Sequence, residues 1–307
     1  MQPYLPRRRG LLLASLAVPA LQGCASPLTP MPAGEATPEA VALLGRSAVA
    51  HGSRALAGLS DISVSYLGEW PALIDRLQPA LVDKGFRGGS EERLLLRPGL
   101  VGQEHRGPMG RKMVSRREIP AGQGEVRVWF NGEEAADAER RAAAALVVDG
   151  YGLFLMGPMS LARLRAAGRP MGLALAGTER VDLDGVGHDC DVLRVRISPG
   201  LGFSEAEDLA LFIDRGEGLM RRVRFSLNGL ESTRGAVAEV DLFDFVAANG
   251  LRLPTRFHER LLRPLPLPVH DWRLTGLDLD RGMVAEEVAG PSFLDRAARP
   301  AAPLGRS

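Results

Sequence analysis

The chain has 307 residues, 38 Lys+Arg against 37 Asp+Glu, and a formal net charge of +1. That balance excludes a protein held to nucleic acid by bulk electrostatics. A composition of 45% hydrophobic and 24% charged residues excludes general disorder, and 5% aromatics argues against a stacking platform for bases or sugars. Lysine occurs only at Lys84 and Lys112, so the positive charge is almost all arginine. Such usage fits a GC-rich genome or a phosphate-binding surface.

Residues 1–24 open with Arg7, Arg8 and Arg9, continue through an apolar run over 11–21 broken by Pro19, and reach small residues before Cys24. These are the three parts of a secretory signal peptide (residues 1–23), and the run is far shorter than the ~20 residues of a membrane-spanning helix. Removing it takes three of the 38 bases and none of the 37 acids, so the remainder is slightly acidic, with a net of −2. Leu21-Gln22-Gly23-Cys24 resembles the lipobox of bacterial lipoproteins. The resemblance implies cleavage before Cys24 and acyl chains such as palmitate on its sulfur and new amino group, an anchor gaining ~0.8 kcal/mol per buried CH₂. Arg8-Arg9-Gly10-Leu11-Leu12 looks like the core of a twin-arginine export signal, with the plain secretory route as the other reading. Ala25 and Ser26, with no Asp beside the lipidated position, favour the outer over the inner membrane of a Gram-negative envelope.

In the mature chain, residues 24–36 read as a Pro/Ala-rich tether. Thr37-Pro38-Glu39 predicts a helix start, with the helix running to about residue 58. Residues 61–66 alternate with period two, placing Ile62, Val64 and Tyr66 on one face. A short helix is expected over 71–83, then strands over 92–97 and 112–117 around a Gly/Pro-rich loop, and a strand over 125–130 ending at the Asn131-Gly132 turn. Residues 133–149 and 159–167 read as helical, while periodicity leaves the apolar stretch between them open between strand and buried helix. From about residue 178 the chain reads as strands joined by short turns. Residues 284–307, rich in Ala, Pro and Arg, are expected to be a disordered tail.

The stretch Gly185-Val-Gly-His-Asp-Cys190-Asp-Val-Leu-Arg-Val, then Leu211-Phe-Ile-Asp214 with Gly218-Leu-Met-Arg-Arg, then Asn249-Gly-Leu-Arg-Leu-Pro254, resembles the second half of the LolA-like periplasmic lipoprotein-carrier superfamily. Leu94-Leu95-Leu96-Arg97-Pro98 and Val128-Trp129-Phe130-Asn131-Gly132 match its first half more loosely. The resemblance implies an α+β fold: one domain over 37–283, a strongly curved antiparallel half-barrel with helices covering its concave face. A long Ala/Arg-rich helical insert at 133–170 departs from the pattern. It further implies a non-enzymatic membrane lipoprotein that binds or carries a lipid or acyl ligand in the periplasm.

No Gly-x-Ser-x-Gly elbow, His-Glu-x-x-His, phosphate-binding Gly-Lys-Ser/Thr loop or Cys-x-x-Cys occurs, and no cofactor, metal or catalytic residue is assigned. His188, Asp189 and Asp191 do not converge on a regular strand. His258-Glu259 and His270-Asp271 read as exposed polar positions near strand ends. Cys190, the only cysteine besides Cys24, reads as a small buried hydrophobe. Strand alternation separates two faces. Leu193, Val195, Leu211, Ile213, Val223, Phe225 and Leu227 are either core or the lining of a ligand cavity. Arg194, Arg196, Arg222 and Arg224 form either a solvated outer face or a contact for anionic headgroups or an acidic envelope partner. That second use of the arginines would make the chain a structural or interaction lipoprotein.

Overall fold

Described in the computed structural model are residues 28, 30–32, 34–118 and 124–305. The expected signal peptide, the 21–24 motif with Cys24, and Arg7–9 lie outside the described residues. Thr37 opens α1 (Pro38–His51): its hydroxyl accepts from the Ala40 amide at 3.3 Å, with Pro38 and Glu39 in the first turn. The helix stops at Gly52, where φ is 99° and a Cβ would stand 2.2 Å from the Gly250 carbonyl oxygen, so only glycine closes this end.

There follow α2 (Ser53–Leu56), β1 (Asp61–Glu69), α3 (Ala72–Leu77), α4 (Pro79–Val82), β2 (Gly89–Leu95), β3 (Leu100–Gly107), β4 (Gly110–Arg117), β5 (Glu125–Phe130) and β6 (Glu133–Glu134). Helix α5 (Ala138–Ala166) divides these from β7 (Met171–Leu183), β8 (Val186–Ile197), β9 (Glu207–Asp214), β10 (Met220–Ser226) and β11 (Val237–Phe243). The chain ends with β12 (Val246–Ala248), β13 (Leu251–Leu253), β14 (Arg256–Arg263), β15 (Leu267–Leu279), α6 (Ala285–Val288) and α7 (Asp295–Ala298).

Thirteen strands form one open antiparallel sheet in the order β6-β5-β4-β3-β2-β1-β15-β14-β11-β10-β9-β8-β7, and β12 and β13 pair separately. The last strand, β15, bridges the two halves by pairing with both β1 and β14. Helix α5 touches β4 and β5 in one wing and β10 in the other, so the sheet curves around it. This is the expected α+β fold, a curved antiparallel sheet with helices on its concave side.

The segment expected as an insert supplies the centre of that core. Residues 138–166 are two helical segments joined in one rod, capped at the start by Asp137, whose carboxylate accepts from the Arg140 amide at 2.8 Å. The helix is interrupted at Gly157 (φ 3°, ψ −89°), followed by Pro158. The stretch left open between strand and buried helix is therefore helix. Among the described residues this is the one helix long and apolar enough to cross a membrane, but 83% of its most apolar window is buried against the sheet. Tertiary burial explains its composition.

Both ends of the described chain are docked. Expected as a free tether, the N-terminal segment packs from Leu28 onward: Leu28 joins the cluster around Phe212, Met31 N donates to Asp208, and Glu35–Thr37 pair in parallel with Leu173 on edge strand β7. The tail expected to be disordered crosses the outer face of β1–β5, where Met283, Val288, Phe293 and Ala297 pack on Leu95, Leu100, Met113 and Trp129. Arg93, fully buried there, donates to the carbonyls of Ala297 (3.1 Å) and Arg299 (2.8 Å) and to Glu91 (2.9 Å). Asp61 accepts from the amides of Arg281, Gly282 and Met283. Composition favoured disorder, but four apolar side chains and these capped carbonyls outweigh it.

Candidate functional site

The apolar strand face expected to line a ligand cavity is filled by α5. Leu193, Val195, Leu211, Ile213 and Val223 are at most 1% exposed and lie in the main core. Phe225 meets Phe154 of α5 at 5.4 Å between ring centroids, and only Phe225 and Leu227 border a void, of about 40 Å³. The arginine face does point outward, but it is neutralised within the sheet. Arg222 donates to Asp241 and Arg224 to Glu239 (2.9 Å), Arg260 binds both carboxylates, and Arg196 donates to Asp208 at 2.7 Å. Arg194 lies directly across from Ala210, half-buried, with burial lowering its pKa and Asp208 opposing that shift. The guanidinium groups of Arg222 and Arg224 also lie over the Phe212 ring. They close the outer side of the sheet and leave no free basic patch there.

Open space lies instead at two ends of α5. The first is an apolar cleft of about 160 Å³ between the helix, the β2–β3 turn and the loop after β8. Its walls are Leu94, Leu96, Val101, Leu153, Met156 and Leu201, among others. Its floor is Gly152, where a Cβ would meet nothing within 4 Å. The leucines lie at the inward ends of β2 and its turn, and successive turns of α5 present Val148, Gly152 and Met156 at four-residue spacing. Polar groups frame the mouth. Arg116 of β4 binds Asp149 of α5 through two hydrogen bonds (3.0 and 2.9 Å), and Asp149 accepts from the Gly202 amide at 2.8 Å. That clamp ties the first wing, the helix and the second wing together. Arg163 donates to the Leu96 carbonyl at 2.9 Å, and Glu118 pairs with Arg163 and Arg169.

The second cavity, also about 160 Å³, is polar. Cross-strand register sets Tyr66, Ser90, His105 and Lys112 in one row across β1–β4, facing inward. In the next row Glu92 faces Gln103. Helices α3 and α4 and the loop to Gly88 close over this row, bringing Trp70, Lys84 and Arg87; Tyr151 comes from α5 and His270 from β15. Gln103 donates to Glu92 at 2.8 Å while its carbonyl oxygen lies 2.8 Å from His105 Nε2, which fixes that nitrogen as the protonated one. Trp70, His270, Trp272 and Phe257 form a stacked column with centroid spacings of 4.1, 4.4 and 4.9 Å.

Burial dominates the electrostatics of this second site. It pushes Glu92 up to about 7 and Glu259, which faces His270 across the β14–β15 ladder, up to about 8. The same desolvation holds His105 and His270 well below the ordinary imidazole range and lowers Lys112 to about 8 despite its 2.7 Å bond to Asp83. The expectation that His258-Glu259 and His270-Asp271 are both exposed is thus half right. Alternation turns Glu259 and His270 inward and leaves His258 paired with Asp271 outside.

The remaining polar residues are structural. His188 binds Asp214 at 2.7 Å, Asp189 pairs with Arg180 and Asp191 with Arg215, so the three do not converge. No metal-holding group of three or more His, Cys, Asp or Glu occurs among the described residues. His51 bridges α1 to the second wing, with Nδ1 3.2 Å from the Arg252 carbonyl and Nε2 accepting from the Met220 amide at 2.9 Å; burial lowers it to about 4. Cys190 is buried, and desolvation pushes its thiol up to about 12, the opposite of an activated nucleophile.

The chain resembles three solved structures. A domain assigned to an outer membrane lipoprotein-sorting protein from Vibrio parahaemolyticus is 9% identical, with a TM-score of 0.47 over 81% of this chain and 96% of that one. A DUF1329 family protein from Desulfovibrio piger is 11% identical, with a TM-score of 0.44 over 79% and 95%. A LolA superfamily protein from Nitrosomonas europaea is 11% identical, with a TM-score of 0.41 over 81% and 96%. No family model and no curated protein matches the sequence.

Proposed function

We propose that this chain is an exported lipoprotein, acylated at Cys24 and held to the membrane, that binds or carries an acyl-type apolar ligand without chemical turnover. The observation that carries the ligand reading is the open, leucine-walled cleft above Gly152. An apolar cleft with a few polar groups at its mouth is the usual form of a small-molecule site. At about 160 Å³ it matches the ~150 Å³ aliphatic cavity that takes up benzene-sized molecules. It accepts a ring or a short alkyl segment as it stands. A whole acyl chain requires the part of α5 beyond Gly157 to move outward, and the break at Gly157-Pro158 supplies the hinge for that motion.

The address rests on the sequence: the arginine-led apolar leader, the lipobox-like 21–24, and Ala25-Ser26 in favour of the outer membrane. The test is native mass spectrometry of the full-length protein extracted from its own membrane. The expected result is a non-covalently bound acyl species beyond the lipid attached at Cys24; protein carrying none from any growth condition contradicts the carrier reading.

A further inference from the structure

The polar chamber is separate from the cleft and has a chemistry of its own. Three polar atoms in it are buried without a hydrogen-bond partner: Tyr66 Oη, Arg87 Nε and His270 Nδ1. Buried polar groups are almost always satisfied, so three unpartnered atoms on residues that line one cavity point to partners that a ligand there would supply. The charges in the lining point the same way. Lys84 of the lining pairs with Asp75 at 3.7 Å, and Lys112, which lies next to His105 in the sheet, pairs with Asp83 at 2.7 Å, whereas Arg87 has no carboxylate within ion-pair reach among the described residues. Its guanidinium is held over the Trp70 ring at 5.2 Å, and its Nη2 donates to the Leu81 carbonyl at 3.1 Å. The loop that carries it is pinned against β3: a Cβ on Gly88 would stand 2.3 Å from the Arg106 carbonyl oxygen. With burial holding His105 and His270 well below the ordinary imidazole range, Arg87 is the cation of the lining without an ion pair; it hydrogen-bonds Tyr151 and opposes the upward shift of the buried Glu259.

We propose that this chamber binds the oxyanion head, a carboxylate or a phosphate monoester, of a small amphiphile. Arg87 supplies the counter-charge, and Tyr66 Oη and the Nδ1–H tautomer of His270 donate hydrogen bonds. Tyr151 and His270 also border the void of about 40 Å³ that reaches Phe225 and Leu227, which gives the first few carbons beyond the head a place. Both carboxyls that approach the chamber from the strands, Glu92 and Glu259, are raised by burial, which favours their neutral forms and keeps them from repelling an anion.

The test uses full-length protein carrying Gly152→Leu, so that the apolar cleft is filled and contributes no binding. Octanoate, octyl phosphate and octanol are titrated against the fluorescence of Trp70 and Trp272. One of the two anions is expected to bind at least tenfold more tightly than octanol; octanoate in the lead identifies a carboxylic acid, and octyl phosphate a phosphate-headed ligand. Arg87→Gln is expected to abolish the preference, and Arg87→Lys to restore part of it. Equal affinity for octanol and both anions overturns the proposal, as does an unchanged anion affinity in folded Arg87→Gln protein. If Arg87→Gln does not fold, Tyr66→Phe decides: a three- to tenfold loss of anion affinity supports the site, and a change under twofold overturns it. The apolar cleft is blocked in every arm, so these outcomes are independent of what binds there.

Discussion

Filling the cleft at its floor separates a binding site from a packing defect. In Gly152→Leu the new side chain enters space in which a Cβ meets no atom within 4 Å, inside helix α5. Replacing a mid-helix glycine by leucine gains ~0.8 kcal/mol in helix propensity. Burying part of the isobutyl group among Leu94, Leu153 and Met156 adds roughly 1–2 kcal/mol, offset by up to ~1 kcal/mol of rotamer entropy. The lipid-free variant should therefore be about 1–2 kcal/mol more stable, a rise in Tm of roughly 2–8 °C at ~2–4 °C per kcal/mol. Calorimetry of delipidated protein measures the stability, and mass spectrometry of protein from the native membrane measures the lipid load. Higher Tm with lost lipid is the predicted pair. A lower Tm would mean that the cleft is not open at Gly152. A higher Tm with undiminished lipid would place the ligand elsewhere.

Other perturbations give equally direct readings. Leu211→Ala, at a residue with no exposed surface, should cost ~3–5 kcal/mol as a core truncation; a loss below 1 kcal/mol would mean that this strand face lines a cavity after all. Arg93→Ala strips the tail of its anchors at Ala297 and Arg299 and should cost at least ~3 kcal/mol, with proteolysis first seen after residue 283; unchanged protease resistance would contradict the docked tail. Burial raises Glu92 and Glu207 to about 7 and Glu259 to about 8, so the stabilisation tied to their protonated forms is complete below the unfolded value of 4.5 and drains away as pH rises through the folded values. The depressed histidines act only below their unfolded 6.5, and Lys112 only above about 8. Between pH 6.5 and 8, stability should therefore fall by on the order of 2–3 kcal/mol. In Glu92→Gln/Glu259→Gln protein most of that slope should vanish, and a slope that persists would refute the burial argument. Cys24→Ala should move the protein from the membrane to the soluble fraction, and unchanged membrane association would count against acylation there.

Period-two alternation made most strands legible, and of the three Asn-Gly pairs those at 131–132 and 249–250 form turns with positive φ at both residues, whereas Asn228-Gly229 has positive φ at neither. It also sorted the apolar from the arginine-bearing side of β8 and β10 correctly. What it could not supply was the third dimension. Residues 138–166 read as an insert because nothing local says that the helix between two runs of strands lies inside the sheet they form. Once α5 occupies the concavity, the seven apolar residues expected to line a cavity become core, and the open space shifts to where α5 offers a glycine. The arginine face was ambiguous for a related reason. Glu239 and Asp241 sit on β11, beside β10 in the sheet, and only that register shows the charges to be paired. The polar chamber has no local signal in Ser90-Glu91-Glu92 or Gln103-Glu104-His105, which carry no motif. Their inward members converge only through the β1–β4 ladder, and strand β3 was itself unassigned.

The central claim is that an acyl ligand occupies the cleft beside Gly152. Photolabelling full-length protein with a diazirine-bearing fatty acid, followed by peptide mapping, tests it most directly. Labels on residues 94–101 and on the 148–164 stretch of α5, absent from Gly152→Leu protein, are the predicted result. Labels confined to other surfaces, or equally strong in Gly152→Leu protein, would contradict it.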